Sequence, residues 1–375
     1  MYKLALGAVV SLMLVLTPAS AAHTRGHVKA TISKTKKPVA VSKTRFHRRD
    51  AATRLSSAPK NNVIRRTILV RGKRKVVYQR VIAAPAYVAP PRLSMGDRAG
   101  LNLTRDPLDL ASSVALVLDQ NSSEVLFEKN SSVALPIASI TKLMTGLIVV
   151  EANQDMNQVL TVTEDDVDHE KWTGSRLRVG SQLPRATLLH IALMSSENRA
   201  AAALGRNYPG GVAGFVEAMN AKARELGMRD TRYVDSNGLS SKNVASARDL
   251  AKLVGFAYGQ PLLRQYSTDP ESVITAGGKM LNYHNTNYLV RSPDWDIGLQ
   301  KTGFINEAGR CLVMQARIVG RSVIMVFLDS KGKLSRTADA GRVKRWLEAA
   351  ARPAVLGTTP ATAPVLQSPV VSQGG

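Results

Sequence analysis

The 375-residue chain has a single cysteine, Cys311, and only six histidines. One cysteine cannot close a disulfide within the chain, and it cannot supply a zinc site built from several thiolates. The histidines show no His-x-x-x-His pair or comparable metal-ligand spacing. The sequence therefore implies no metal and no other cofactor.

Acidic residues are almost missing from residues 23–80. This stretch holds 18 Lys or Arg and one acid, Asp50, so it carries +17 of the net charge of +23, whereas the chain from residue 81 onward is only +5. The high pI therefore says little about the rest of the chain. Because blocks of like charge repel one another, we predict that residues 23–92 form a basic, disordered arm or linker.

The N-terminal apolar run, residues 4–16, is too short to span a bilayer comfortably. It follows Lys3 and precedes the small residues 19–22, which is the layout of a secretory signal peptide. We predict a signal peptide over residues 1–22 and a periplasmic protein that is either free or loosely associated with the envelope; an uncleaved anchor is the weaker alternative. Because the protein is expected to be exported, we do not expect nucleic acid to be the partner of the arm. The expected partners are anionic wall polymers, lipid head groups or lipopolysaccharide.

Residues 93–351 carry the pattern of a globular domain, and the uncharged residues after Arg352 predict a disordered tail over 352–375. Strands are expected first, then helices, then three strands and a terminal helix, which predicts one sheet interrupted by a helical insertion. The predicted strands are 113–118, 124–128, 296–302, 310–317 and 323–328; the predicted helices are 139–151, 187–194, 212–226, 247–258 and 338–351.

Ser-x-x-Lys occurs four times, beginning at Ser33, Ser57, Ser139 and Ser330. Only Ser139 opens an apolar helical run. Positions i and i+3 share a helix face, so the Lys142 amine can reach the Ser139 hydroxyl, and the free N–H groups of a helix start can hold an oxyanion. By itself the motif leaves open a serine N-cap beside a solvated lysine.

Two further motifs follow in a telling order. Residues 196–198 read Ser-Glu-Asn after a helical run, and residues 301–303 read Lys-Thr-Gly at the end of a strand. Ser-x-Asn recurs at residues 241–243, whereas Lys-Thr-Gly is unique. The order Ser-x-x-Lys, Ser-x-Asn, Lys-Thr-Gly is the three-part set of penicillin-interacting serine enzymes.

On these motifs the chain resembles the low-molecular-mass penicillin-binding proteins, a family of D-alanyl-D-alanine carboxypeptidases and endopeptidases. The likeness covers about residues 100–350, and further matching stretches are 173–180, 188–201, 219–228, 237–239, 247–249 and 301–304. Ser-Glu-Asn stands where the family's carboxypeptidases commonly have Ser-Gly-Asn, which favours the endopeptidase branch. The resemblance implies an α/β (α+β) fold of the β-lactamase/transpeptidase type, with an antiparallel sheet flanked by helices.

The resemblance also implies catalytic roles. Ser139 would be the acylated nucleophile, and Lys142 its base, with a pKa lowered by desolvation or by a cation such as Lys301. Ser196 would relay a proton to the leaving amine. The backbone N–H groups of Ser139 and Phe304 would form the oxyanion hole.

The same resemblance implies residues that bind substrate. Asn198 would hydrogen-bond the substrate backbone and Lys142. Lys301 would supply positive field, and the Thr302 hydroxyl would bind the substrate carboxylate. Gly303 would let the substrate lie against the strand.

The function implied is a periplasmic endopeptidase that cleaves the peptide cross-links of peptidoglycan in cell-wall remodelling and is inhibited covalently by β-lactams. A carboxypeptidase that trims pentapeptide stems would use the same residues and stays open. A β-lactamase would need a Glu-x-x-Leu-Asn context, which Glu217, Glu225 and Glu271 lack. A non-enzymatic wall-binding protein is disfavoured by the intact motifs. No amphipathic helix follows residue 351, so no membrane-lying segment is expected.

Four other residues stay outside the predicted site. His190 and Cys311 lie in apolar surroundings and are interpreted as packed side chains. Asp249 is interpreted as an ion pair or helix cap. Arg336 is left out because the sequence around it matches the family poorly.

Overall fold

The structure, a computed structural model, describes residues 63–80 and 92–351. The predicted signal peptide, the tail over 352–375 and most of the basic arm lie outside the described residues. Within the described residues, no helix combines the length and the apolar character needed to cross a membrane.

Residues 63–80 form a β-hairpin, described here by itself. Strands β1 (Val63–Val70) and β2 (Lys73–Arg80) pair antiparallel. The two turn residues, Arg71 and Gly72, have φ values of 49° and 73°, the left-handed backbone that two-residue hairpin turns require. Regular structure in this part of the predicted arm follows from its alternating apolar and basic residues and its Arg-Gly turn.

The remaining described residues form the domain that carries the three motifs. Its strands are β3 (Ser112–Asp119), β4 (Val125–Lys129), β5 (Leu135–Pro136), β6 (Val159–Thr161), β7 (Gln182–Pro184), β8 (Val244–Ala245), β9 (Glu271–Ala276), β10 (Lys279–His284), β11 (Asp296–Ile305), β12 (Gly309–Ile318) and β13 (Arg321–Ser330). Its helices are α1 (Met95–Arg98), α2 (Thr141–Glu151), α3 (Arg185–Met194), α4 (Asn198–Arg206), α5 (Gly211–Glu225), α6 (Ala247–Tyr258), α7 (Pro261–Thr268) and α8 (Ser335–Ala350).

The central sheet has five strands in the order β11-β12-β13-β3-β4, and every neighbouring pair is antiparallel. Helices α2 to α7 and the short strands all lie in the chain between β4 and β11. The predicted antiparallel sheet with a helical insertion is confirmed. Strand β11 lies at one edge of this sheet, so one of its sides is open to neighbouring segments.

Both faces of the sheet are buried. Along β13, Ile324 and Val326 belong to the larger core with the inserted helices, whereas Met325 and Phe327 belong to the smaller core beneath α8. Burying each such side chain contributes about 1.5–3 kcal/mol, so the sheet is held from both sides. On the predicted terminal helix, Val343 and Leu347 are buried.

Three details differ from the sequence predictions. Helices α4 and α7 and the β9–β10 hairpin were not predicted, because each of these elements is short. Ser139 lies in a 3₁₀ turn (Ala138–Ile140) and α2 begins only at Thr141. Lys-Thr-Gly lies inside β11 and not at its end, because pairing with β12 continues to Ile305.

Candidate active site

The turn that carries Ser139 is held in place by buried neighbouring residues. Ile137, Ala138 and Ile140 are fully buried, and Ser139 alone keeps partial exposure. Ala138 has φ of 49°, a left-handed conformation that costs a non-glycine residue on the order of 1 kcal/mol. The Ile137 amide donates to the Asn243 carbonyl (3.0 Å), which ties this turn to the segment before α6. Ser139 therefore sits on a buried turn with a strained backbone.

Lys142 lies one turn further along the chain, and its side chain is fully buried. Its Nζ is 2.9 Å from Ser139 Oγ and 2.8 Å from Asn198 Oδ1, and it also contacts the Asn237 carbonyl oxygen. A neutral amine has two N–H donors and one lone pair. The two amide oxygens can only accept, so they take both N–H groups. The lone pair is then left for the Ser139 hydroxyl proton, as a general base requires.

Burial lowers the pKa of the Lys142 amine from 10.5 to about 7, against the raising effect of the Asp235 and Glu197 carboxylates. Desolvation, rather than the charge of Lys301, is thus the main cause. Lys301 is itself fully buried, and burial lowers its pKa well below the usual value, with the charges of Lys142 and Arg336 acting in the same direction. A base with a pKa near 7 is available at neutral pH.

The Ser-Glu-Asn triplet joins α3 to α4. Asn198 begins α4, and its amide bridges two parts of the site: Oδ1 accepts from Lys142, and Nδ2 donates to Thr173 Oγ1 at 2.9 Å. Ser196 has φ of 62° and is partly exposed. Its hydroxyl makes no hydrogen bond to another described residue, and it lines a cavity of about 410 Å³ together with Asn198. Ser196 is therefore free to contact a substrate.

Glu197, the residue that departs from Ser-Gly-Asn, is buried and fully engaged. Its carboxylate accepts from the Ser175 hydroxyl (2.6 Å) and lies 3.5 Å from the Tyr283 hydroxyl. It also accepts from the Arg199 amide (3.4 Å) as the N-cap of α4. Glu197 thereby connects the α3–α4 junction to Ser175, in the segment before β7, and to β10.

Two glycines allow other backbone segments to approach the nucleophile. A Cβ on Gly303 would come 2.8 Å from the Ile137 carbonyl oxygen and 3.1 Å from the Ser139 nitrogen. A Cβ on Gly238 would come 2.1 Å from the Ala138 carbonyl oxygen, and Gly238 has φ of 79°. Gly303 was expected to allow substrate to approach the strand closely. Within the protein, its lack of a side chain leaves room for the turn that carries Ser139.

The loop after Tyr233 supplies residues that the sequence analysis missed. The Asp235 carboxylate accepts from the backbone amides of Asn237 (3.0 Å), Gly238 (2.6 Å) and Ser240 (2.9 Å), and from Asn243 Nδ2 (2.7 Å). This clamp presents the Asn237 carbonyl oxygen to Lys142. The sequence signals here were an Asp-Ser-Asn-Gly turn, which does not by itself indicate a site, and the matching stretch 237–239.

The edge strand β11 brings the third motif alongside. Lys301 Nζ donates to the Thr302 carbonyl (2.9 Å), and Thr302 Oγ1 lies 2.6 Å from the Thr286 hydroxyl. Phe304 is half-exposed, and the Arg310 guanidinium lies 4.5 Å from its ring centroid. The structure thus brings Ser139, Lys142, Asn198 and the Lys-Thr-Gly strand together.

Arg336 was left out of the predicted site, yet it reaches the same strand. From the first turn of α8 its Nη1 donates to the Gly303 carbonyl at 2.8 Å, and its charge helps to lower the pKa of Lys301. The remaining discounted residues are packed. Cys311 is buried, which raises its thiol pKa to about 12, and His190 stacks on Tyr266 with 4.6 Å between ring centroids.

A serine activated by a buried lysine, with an asparagine and a Lys-Thr-Gly edge strand beside them, defines the class of penicillin-interacting serine acyl-transfer enzymes. A family model described as D-alanyl-D-alanine carboxypeptidase, of the S11 peptidases, matches residues 102–332. The chain belongs to this family and is a serine-type hydrolase with the β-lactamase/transpeptidase-like fold.

Individual relatives agree with this assignment. The chain is 47% identical to the D-alanyl-D-alanine endopeptidase of Pseudomonas aeruginosa over 71% of this chain and 84% of that protein. It is 43% identical to the D-alanyl-D-alanine endopeptidase of Escherichia coli, over 64% of this chain and 78% of that protein. The crystal structure of the Streptomyces K15 DD-transpeptidase superposes with a TM-score of 0.60 at 25% identity, covering 66% of this chain and 100% of that one.

Proposed function

We propose that this chain is a periplasmic D-alanyl-D-alanine endopeptidase that hydrolyses peptide cross-links of peptidoglycan and so acts in cell-wall remodelling. The observation that carries the catalytic part of this proposal is the buried Lys142 amine, which lies 2.9 Å from Ser139 Oγ. Its two N–H groups are taken by the oxygens of Asn198 and Asn237, so its lone pair is left for the serine. The preference for cross-links is supported by the Ser-Glu-Asn triplet and by the names of the two relatives. The periplasmic location is supported by the signal-peptide pattern of residues 1–22.

In the proposed mechanism Ser139 Oγ attacks the carbonyl carbon of the D-alanyl residue, and its proton passes to the Lys142 lone pair. The resulting oxyanion is held by the backbone N–H groups of Ser139 and Phe304. The tetrahedral intermediate then expels the amine of the following residue, which takes up a proton through Ser196. The product of this half-reaction is an ester on Ser139.

Hydrolysis of that ester completes the cycle. Lys142, again neutral, accepts a proton from water as the water oxygen attacks the ester carbonyl, and Ser139 leaves with its hydroxyl restored. Thr302 binds the carboxylate of the departing residue, and that negative charge favours the protonated form of Lys301, which supplies positive field in the substrate complex. β-Lactams would acylate Ser139 by the same first step.

The scissile bond is tested by offering the purified enzyme cross-linked dimeric muropeptides and pentapeptide monomers separately. We expect loss of dimers and appearance of monomers by mass spectrometry. Loss of the terminal D-alanine alone would instead establish a carboxypeptidase and overturn the endopeptidase proposal.

We further propose that the basic arm binds anionic envelope polymers or lipid head groups. Its support is the charge of +17 over residues 23–80 and the hairpin over 63–80, whose described side chains are all exposed. Several phosphate or carboxylate groups can then be contacted at once, an attraction that salt screens.

Removing the arm is expected to release the protein from isolated cell envelopes. At low salt, the chain lacking residues 23–92 should stay in the supernatant after centrifugation, while the full mature chain pellets and is released by added salt. Equal pelleting of the two chains would show that the arm is not the binding element.

A further inference from the structure

Two adjoining cavities extend from the active site along one side. The first, about 410 Å³, is lined by residues 174–176 and 195–198, and so begins at Ser196 and Asn198. The second, about 180 Å³, lies between residues 176–181 and the β9–β10 hairpin. The two cavities are here named together the Arg176 groove, because Arg176 lines both and the first begins at Ser196 and Asn198.

The Arg176 groove carries positive charge that the protein does not neutralise. Arg176, Arg178 and Lys279 line it and are exposed, and none of them forms an ion pair with another described residue. The acid that borders the groove, Glu197, is buried and engaged with Ser175 and Tyr283. The groove therefore offers three free cations to a ligand and no free carboxylate.

The walls of the groove are held in place. The Ser175 hydroxyl accepts from the Leu177 amide (3.0 Å) while donating to Glu197, and Arg199 Nη1 donates to the Leu177 carbonyl (2.8 Å). Across the groove, the Arg176 guanidinium lies 5.0 Å from the centre of the Tyr283 ring of β10. A ligand therefore meets a largely preformed surface, which lowers the entropic cost of binding.

The groove lies on the side where the leaving group departs. It starts at Ser196, the proposed proton relay to the leaving amine. Its far wall, the β9–β10 hairpin, leads directly into Thr286, which contacts the Thr302 hydroxyl proposed to bind the leaving residue's carboxylate. A departing D-alanine ends at that carboxylate. In a cross-link, the departing residue continues into a second stem peptide with further carboxylates.

From this juxtaposition we propose that the Arg176 groove binds the second stem peptide of a cross-link, with Arg176, Arg178 and Lys279 facing its carboxylates. This inference rests on the proposed endopeptidase function. The second stem peptide is the part of the substrate that distinguishes cleavage of cross-links from trimming of pentapeptides. The three cations are specificity-determining residues: they contact the part of the substrate that a pentapeptide lacks.

The test compares the wild-type enzyme with the triple variant Arg176→Gln, Arg178→Gln, Lys279→Gln. We expect kcat/KM for dimeric muropeptides to fall about tenfold, mainly through KM, since each exposed ion contact has a modest effect and three are removed. The rates of pentapeptide trimming and of acylation by labelled penicillin should fall less than about twofold, because neither substrate has a second stem peptide to contact the three cations. Added salt should raise the dimer KM of the wild type more than that of the variant.

The matched control is Arg229→Gln, which removes an exposed cation that lines neither cavity. It should cleave dimers as the wild type does. If the triple variant cleaves dimers as fast as the wild type, the groove assignment is overturned. It is also overturned if the triple variant loses dimer cleavage, trimming and acylation to the same extent. A wild-type enzyme that releases only terminal D-alanine would overturn the endopeptidase function itself.

Discussion

Replacing Ser139 by alanine is expected to abolish both covalent labelling by penicillin and hydrolysis of muropeptides. The hydroxyl is the only atom group of this residue that can form the ester, so the loss should be at least about 10⁴-fold. Labelled penicillin followed by gel electrophoresis measures acylation, and mass spectrometry of muropeptides measures hydrolysis. Since Ser139 is partly exposed and its turn is anchored by Ile137 and Ile140, thermal unfolding should stay close to wild type.

The chain contains its own control for this substitution. Ser330 also begins a Ser-x-x-Lys motif, but its hydroxyl is buried and bonds to Ser335 Oγ at 2.7 Å. Ser330→Ala should keep full labelling. Labelling that survives in Ser139→Ala, or disappears in Ser330→Ala, would contradict the assignment of the nucleophile.

The second large effect is expected from Lys142→Met. Methionine fills the buried volume without supplying a base, so acylation should fall about 10³-fold. Stopped-flow measurement of penicillin acylation gives the rate, and circular dichroism shows whether the variant is folded. Lys333→Met, at the exposed lysine of the Ser330 motif, is the matched control and should acylate normally. An acylation rate in Lys142→Met near that of the control would exclude Lys142 as the base.

The pH dependence of acylation gives an independent readout of the same lysine. Only the neutral amine accepts a proton, and burial sets its pKa at about 7. The wild-type rate should therefore fall about tenfold per pH unit below that value and level off above it. Glu197 raises the pKa of Lys142, so Glu197→Gln should move the midpoint to lower pH. A midpoint that stays in place, or moves upward, would contradict this electrostatic account.

Much of the sheet could be predicted because its strands are buried on both faces. Residues 311–314 and 323–328 are continuously apolar, and such runs are visible without knowledge of their neighbours. The β9–β10 hairpin escaped notice for the opposite reason, because most of its residues are exposed. Helices α4 and α7 escaped notice because they are short, with nine and eight residues. The hairpin nevertheless forms one wall of the Arg176 groove.

The sequence by itself determined which residue types the chemistry uses. Three ordered motifs indicated the nucleophile, its lysine, the asparagine and the edge strand, because each motif is local in the chain. It could not place Asn237 or Arg336, whose contacts with Lys142 and Gly303 join segments far apart in sequence.

The tertiary structure decided how those residues work. The pKa of Lys142 depends on its complete burial and on the Asp235 and Glu197 carboxylates of other segments, which no spacing within α2 encodes. Gly238 and Gly303 are required because two backbones meet at the Ser139 nitrogen. Desolvation and close packing are properties of the folded assembly, so a local motif can name the base, but only the fold makes that amine basic at neutral pH.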